Sequence, residues 1–259
     1  MEKIMPYIKI KFVQKIWMEG NLLWLANLGV ALNLSLLCGL LFLLFQYEFF
    51  LLLSLISLIA AYYIYAYTGI KKGLLSQPIC QLATTEKKIA LTFDDGPNLN
   101  YTHELLTILA AHQVKATFFV LGQHIESHPA IAQRINDEGH AIGNHSYSHP
   151  RMNLMGYKAL VSEIDKTQSL IKNLNYNNPL LFRPPYGLKS PLLELILKTK
   201  KMKTIHWTLS SKDWKPIPPA TILARLLQFT QPGTIVLFHD TKNAVAVLPE
   251  FIKRCQENG

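Results

Sequence analysis

Between Asn21 and Ile70 the chain carries a single formal charge, Glu48. As one helix that run would extend about 75 Å, against a bilayer core ~30 Å thick. The length predicts a two-helix transmembrane hairpin over residues 21–70, with spans at 22–45 and 49–68 folded about "QYE". A secretory signal would have one short apolar core and a small-residue cleavage site, and this run fits neither. A buried hairpin in a soluble fold is the competing reading, disfavoured by the length and the lack of charge. Ahead of the hairpin, residues 1–20 mix Lys9, Lys11 and Lys15 with aromatic and aliphatic side chains, as suits a basic interfacial segment against anionic headgroups. Lys71 and Lys72 follow the second span, while the turn holds only an acid. By the positive-inside rule the N-terminus and everything after residue 72 face the cytoplasm, with an extracytoplasmic placement as the alternative.

Composition changes beyond residue 70. The overall hydrophobic content of 49% is concentrated in the hairpin, and the remaining chain is mixed and basic. A linker over 71–84 and one domain over 85–259 are expected. Most of the net charge of +9 lies in that domain. Its lysines are scattered, with no arginine stripe and no interleaved aromatics, so nucleic acid is excluded as a partner. An anionic lipid or a phosphorylated substrate fits better. Cys38, Cys80 and Cys255 match neither a disulfide framework nor a zinc knuckle.

Six apolar runs bounded by turn residues read as strands: 88–95, 116–122, 140–146, 180–186, 204–210 and 234–240. Helical spacing lies between them at 102–114, 128–139, 156–174 and 190–202. Strand alternating with helix predicts an α/β fold with a parallel barrel-like sheet, whose chemistry sits at the C-terminal strand ends. Those ends are Asp94–Asp95, His145, Arg183–Tyr186, Ser210–Trp214 and His239–Asp240. Asp94 and Asp95 alone would read as helix caps. Titratable groups gathered at one rim make capping the weaker account.

"HSYSH" sets His145 and His149 four apart, the spacing that lets one helical turn grip a metal. Joined by a carboxylate from another strand end, they form a two-histidine, one-carboxylate set for zinc or another divalent ion. Of the adjacent aspartates, one would bind the metal and the other act as general base. Arg183 in the stiff "RPPYG" would keep a carboxylate ionised and aimed. Because proline has no N–H, an oxyanion donor there would come from Tyr186 or Gly187. His239 is either a core histidine or, with Asp213 raising its pKa, a proton donor. Together these groups are equipped to hydrolyse an unactivated amide.

In order and spacing, "TFDDGP", "HSYSH", "RPPYG", "KDW" and "VLFHD" resemble the NodB-type polysaccharide deacetylases, the fourth carbohydrate-esterase family. The similarity covers about residues 85–257. It implies a distorted, incomplete (β/α) barrel and metal-dependent N-deacetylation of N-acetylhexosamine glycans, free or lipid-linked, in a bacterial membrane setting. By position it makes Asp94 the base and Asp95, His145 and His149 the metal ligands, with zinc the first choice. Arg183 would orient the base, the Tyr186 N–H would meet the oxyanion, and His239 would be the acid supported by Asp213. Trp214 and Leu237 would line an acetyl pocket. Two departures stand out. Ser210 occupies a position where the family usually has Asp, and the chain ends at "RCQENG", where the family adds a last strand, so the barrel should lack one stave. A non-catalytic module with the same fold and an O-acetyl esterase using the same site are the alternative functions.

Overall fold

The computed structural model describes residues 24, 27–41, 47–67, 77–176 and 180–258. Contacts divide the chain into two units, one up to Tyr65 and the other from Ala66. The basic segment 1–20, Lys71 and Lys72 lie outside the described residues. In the first unit, residues 27–41 form helix α1, and Tyr47–Tyr67 form the 21-residue helix α2. Side chains of α2 are described over 49–65 only, and among the described residues no helix is long and apolar enough to cross a membrane. Both expected spans are helical where described.

The second unit carries seven parallel strands: β1 (Ala90–Gly96), β2 (Thr117–Val120), β3 (Ala141–Asn144), β4 (Leu181–Phe182), β5 (Lys203–Thr204), β6 (Leu209–Ser210) and β7 (Ile235–His239). Their order is β5-β4-β3-β2-β1-β7-β6. The run 204–210, expected as one strand, is therefore two strands on opposite edges of the sheet. Laid flat, seven strands would separate those edges by about 29 Å, at ~4.8 Å per step. The chain from Thr204 to Leu209 reaches at most about 17 Å. The sheet must curl, and the incomplete barrel follows from that one connection. Residues 77–84, expected as linker, bridge both sides of the gap: Ile79 pairs with Ile205 and Gln81 with Thr234.

Strand alternation sorts the side chains. Phe93 is in register with Phe118 on β2 and Phe238 on β7. Their rings stack at 5.0 and 5.6 Å, all fully buried. This face packs under the helices α3 (Thr102–Ala111), α5 (Pro129–Asp137), α8 (Pro219–Phe229) and α9 (Lys242–Glu257). Thr92 and Asp94, two apart, share the opposite face inside the curl. A second cluster, with Leu160, Ile164, Phe182 and Leu193, seats α6 (Tyr157–Asn173) and α7 (Pro191–Thr199). Caps fix helix starts near the site: Ser190 accepts from the Leu193 N–H, and Thr241 from that of Ala244.

Candidate active site

Two adjacent acids reach the same site through a slip in the sheet. The β1–β2 register shifts between Asp94 and Gly96, and Asp95 has φ +69°. This irregularity breaks the alternation that would send neighbouring side chains to opposite faces. Both carboxylates come within reach of His145. The bulge is held by His124, on the short helix α4 (Gly122–Ser127), whose Nδ1 donates to the Asp95 carbonyl at 2.7 Å.

Asp94 is buried and accepts from Nη1 of Arg183 at 2.7 Å. Arg183 is fully buried, yet each of its nitrogens is used. Nη1 also reaches Thr92 Oγ1 at 2.8 Å, Nη2 the His206 carbonyl at 2.9 Å, and Nε that of Ile205 at 3.3 Å. The guanidinium lies over the Phe119 ring, 4.1 Å from its centre. A charge this deep is tolerated because it is paired and hydrogen-bonded.

Asp95, His145 and His149 offer ligand atoms that all lie within 4.8 Å of one another. Nε2 of His145 and of His149 stand 3.4 and 3.3 Å from Oδ1 of Asp95. That oxygen is buried without a hydrogen-bond partner. Nδ1 of His145 meets the Arg183 carbonyl at 2.7 Å. A carbonyl only accepts, so Nδ1 carries the proton and Nε2 presents its lone pair, the arrangement of a metal-binding histidine. An orphaned carboxylate oxygen facing two imidazole nitrogens fits a divalent cation of borderline softness. Burial raises the Asp95 pKa, but its contact with His145 and the nearby His149 and His239 hold it well below the ordinary carboxylate value. Burial lowers that of His149 against the pull of Asp95, favouring the neutral ligand form. The two histidines do not share a helical turn. Residues 145–149 form an irregular loop, with Ser146 at φ +69° and His149 at φ +59°, and those left-handed residues turn the rings together.

His239 ends β7, in register with Asp94 on the adjoining strand. Its Nδ1 lies 3.1 Å from Oδ1 of Asp213. Asp213 is the focus of a fan of donors: Ser211 Oγ, Thr241 Oγ1 at 2.7 Å and the His239 N–H at 3.0 Å. Burial pushes the His239 pKa down, but the Asp213 bond and the charges of Asp94, Asp213 and Asp95 outweigh it, and the pKa is raised. Burial likewise pushes Asp213 up, and His239, Ser211 and Thr241 bring it below its ordinary value. Trp214, half exposed, stands edge-on to His239 at 4.7 Å. Leu237 is buried on the same strand face, in register with Thr92. Tyr186, exposed, sets its ring edge-on to His149 at 4.5 Å. Its φ is +58°, and the turn bonds around it are donated by Gly187 and Leu188, not by its own N–H. Asp94, Asp95, His145, His149, Arg183, Tyr186, Asp213, Trp214 and His239 thus gather at the C-terminal ends of the strands, and Leu237 lies two residues inside β7.

A sequence profile described as polysaccharide deacetylase matches residues 81–205. A peptidoglycan-N-acetylglucosamine deacetylase of Bacillus cereus is 37% identical over 66% of this chain and 64% of its own length. A chitooligosaccharide deacetylase of Rhizobium leguminosarum bv. trifolii is 32% identical over 70% of this chain and 82% of its own. The chain belongs to the polysaccharide deacetylase family, carbohydrate-esterase family 4. Among solved structures, a family 4 pseudoenzyme from Bacillus anthracis superposes with a TM-score of 0.67 at 32% identity, covering 70% of this chain and 65% of the other. The chain spans between 37% and 64% of several curated relatives that it matches.

Family membership puts Ser210 in focus. Ser210 brings no carboxylate to Arg183, which draws on Thr92, Asp94 and two carbonyls. The Ser210 hydroxyl accepts from the Lys212 N–H at 3.3 Å, and its carbonyl takes Nη1 of Arg225. Sequence reasoning gave no role to Thr92, His124, Ser211, Thr241 or Asp240. Asp240 is buried beneath the bulge: it accepts from Thr102, and a Cβ on Gly96 would meet its Oδ2 at 2.6 Å. Burial pushes its pKa up to about 7. Only the adjacency of Asp240 to His239 could have signalled it.

Proposed function

We propose that this chain is a metal-dependent hydrolase that removes the acetyl group from N-acetylhexosamine units of a glycan. The observation that carries the reading is the meeting, at one rim, of the Asp94–Arg183 pair, the Asp95–His145–His149 cluster and the His239–Asp213 pair. Asp95, His145 and His149 would hold a divalent ion, zinc first, which when bound polarises the acetyl carbonyl and acidifies water. Asp94, aimed by Arg183, takes the proton of the attacking water. The Tyr186 N–H donates to the oxygen that gains negative charge. His239, kept protonated by Asp213, delivers a proton to the nitrogen as the C–N bond breaks. Trp214 and Leu237 bound the space for one acetyl methyl. The relatives' names point to N-acetylglucosamine in peptidoglycan or in chitin-type oligomers.

The test is acetate release from both glycans by the purified full chain. Release stops on chelation and returns with zinc. Full activity in a preparation shown to be metal-free sinks the mechanism. Acetate released equally well from O-acetylated and N-acetylated sugars would favour the esterase, and none from either would favour a non-catalytic module.

A membrane anchor is part of the same proposal. Helices α1 and α2 expose leucines around their surfaces, among them Leu36 at 68% and Leu58 at 66%. A helix apolar on all sides is matched to lipid or to a protein interior. The flanking lysines favour a cytoplasmic barrel and a lipid-linked N-acetylhexosamine, whereas the peptidoglycan-directed relatives favour an outward-facing one. A reporter fused after residue 75 decides: active only as a periplasmic reporter, it overturns the lipid-linked reading and leaves the deacetylase reading intact.

A further inference from the structure

The loop that carries both candidate metal-binding histidines has no regular structure, so its backbone hydrogen bonds show what holds it. All five N–H groups from His145 to His149 are accepted. His145 donates to the Val120 carbonyl at 3.0 Å, Ser146 to Asn144 Oδ1 at 2.9 Å, and His149 to Ser146 Oγ at 3.1 Å. The middle two, Tyr147 and Ser148, both converge on one oxygen, Oε2 of Glu163, at 2.8 and 2.9 Å. The other carboxylate oxygen takes the Ser148 hydroxyl at 2.8 Å. Glu163 lies on α6, and its neighbour Ile164 offers its carbonyl to the Asn144 amide at 2.9 Å. One turn of α6 therefore holds Asn144, just ahead of the loop, and the Tyr147–Ser148 peptides within it.

We propose that Glu163 is a positioning residue for the metal-ligand loop, fixing the Tyr147–Ser148 peptides so that His149 faces Asp95 and His145. The proposal rests on the metal-dependent reading above. Two backbone N–H groups on one ionised oxygen make charge-assisted bonds, stronger than neutral ones. They are what holds the turn between Ser146 and His149, both at positive φ, a conformation that persists only where surroundings over-determine it. Without Glu163, the two central N–H groups turn to water and the loop loses its lock. His145 keeps its anchors at Val120 and Arg183, so the damage falls on His149.

The experiment measures metal binding by the full-length apo-protein, using zinc competition against a chelating dye and the visible spectrum of the cobalt(II) form. In Glu163→Ala the zinc dissociation constant rises about 10- to 100-fold, the range for partners that orient metal ligands. The cobalt spectrum shifts as His149 is lost or displaced, while apo-protein stability changes little. Glu163→Gln, which keeps one acceptor oxygen and loses the charge, falls between wild type and alanine. Ser148→Ala, which removes only the hydroxyl bond, stays within about threefold of wild type. A dissociation constant for Glu163→Ala within twofold of wild type, with an unchanged cobalt spectrum, overturns the proposal. If the alanine variant does not fold, the glutamine variant decides. If neither folds, Glu163 serves the fold and the proposal is wrong. Wild-type protein that binds neither ion defeats the metal-dependent reading itself, a distinct outcome.

Discussion

The two halves of the site are built differently. On the metal side, Asp95, His149 and the neighbouring Tyr186 all sit at positive φ on loops and bulges. On the acid side, His239 is the last residue of a buried strand, and Asp213 is fixed by a fan of donors. The first half depends on backbone shape and the second on charge. Strained backbone places ligands where regular strands cannot, and it must be held from several directions. A strand end places one side chain with no strain, leaving its neighbours to tune its proton. Substitutions on the two sides should therefore fail in different ways.

The largest effect is expected at their junction, where Asp94 stands 3.7 Å from His145 and in register with His239. Asp94→Asn keeps an oxygen for Arg183, so the fold and the Asp95 cluster survive. On the proposed mechanism it removes the general base, and kcat should fall on the order of 10³-fold with metal affinity retained. A parallel loss of bound metal would show that the halves are not separable.

The acid side is tested next. His239→Ala should lower turnover of N-acetyl substrates about 100-fold and that of acetate esters less than tenfold. An amine must be protonated as it leaves, and an alkoxide leaves more readily. Equal losses on both substrates would remove the proton-donor role and make His239 part of the scaffold.

A smaller, directional effect belongs to Asp213. His239 has a raised pKa, so it stays protonated, and competent as an acid, to higher pH than an ordinary imidazole. The alkaline limb of the rate profile falls as pH rises through that raised value. Asp213→Asn should move the limb to lower pH, with Asp94 and Asp95 still holding part of the shift. Stability follows the same pair. The His239 contribution is complete below its unfolded pKa and lost as pH rises through the folded one. That of Asp213, whose pKa is lowered, is present above its unfolded value and lost as pH falls through the folded one. The variant should lose the Asp213 arm and part of the His239 arm, read as a flatter dependence of Tm on pH. An unmoved alkaline limb would show that Asp213 only holds the loop.

Much of this division was legible in the sequence, because aspartates, histidines and an arginine have few other reasons to gather at strand ends. Asp94, Asp95, His145, His149, Arg183, Asp213 and His239 are singled out that way, and the structure brings them near one another. What stayed hidden follows from backbone geometry. The spacing of His145 and His149 suggested a helical turn, and nothing in "HSYSH" announces two left-handed residues. The run 204–210 has the apolar, β-branched look of one strand, yet the curl splits it between the edges. Helix α9 carries Pro249 within it, which hides helical periodicity from a reader of propensities. Glu163 and His124 look like ordinary helix residues, and only their partners reveal them.

The smallest effect is predicted at Ser210, where the family habit and this chain differ most openly. If an aspartate there were needed to support Arg183, its absence should leave a guanidinium nitrogen without a partner. None is left so: Nε, Nη1 and Nη2 all donate, and Thr92 fills the place beside Asp94. Ser210 itself meets the Lys212 N–H, with Arg225 on its carbonyl. A new carboxylate at Ser210→Asp would find Arg225 close by and each nitrogen of Arg183 already hydrogen-bonded. Turnover should stay within about threefold of wild type, a barrier change of roughly 0.7 kcal/mol or less. A tenfold or greater gain would mean that Arg183 is poorly set in the native chain. The base side would then be limited by charge, as the acid side is, and the contrast between the halves would fail.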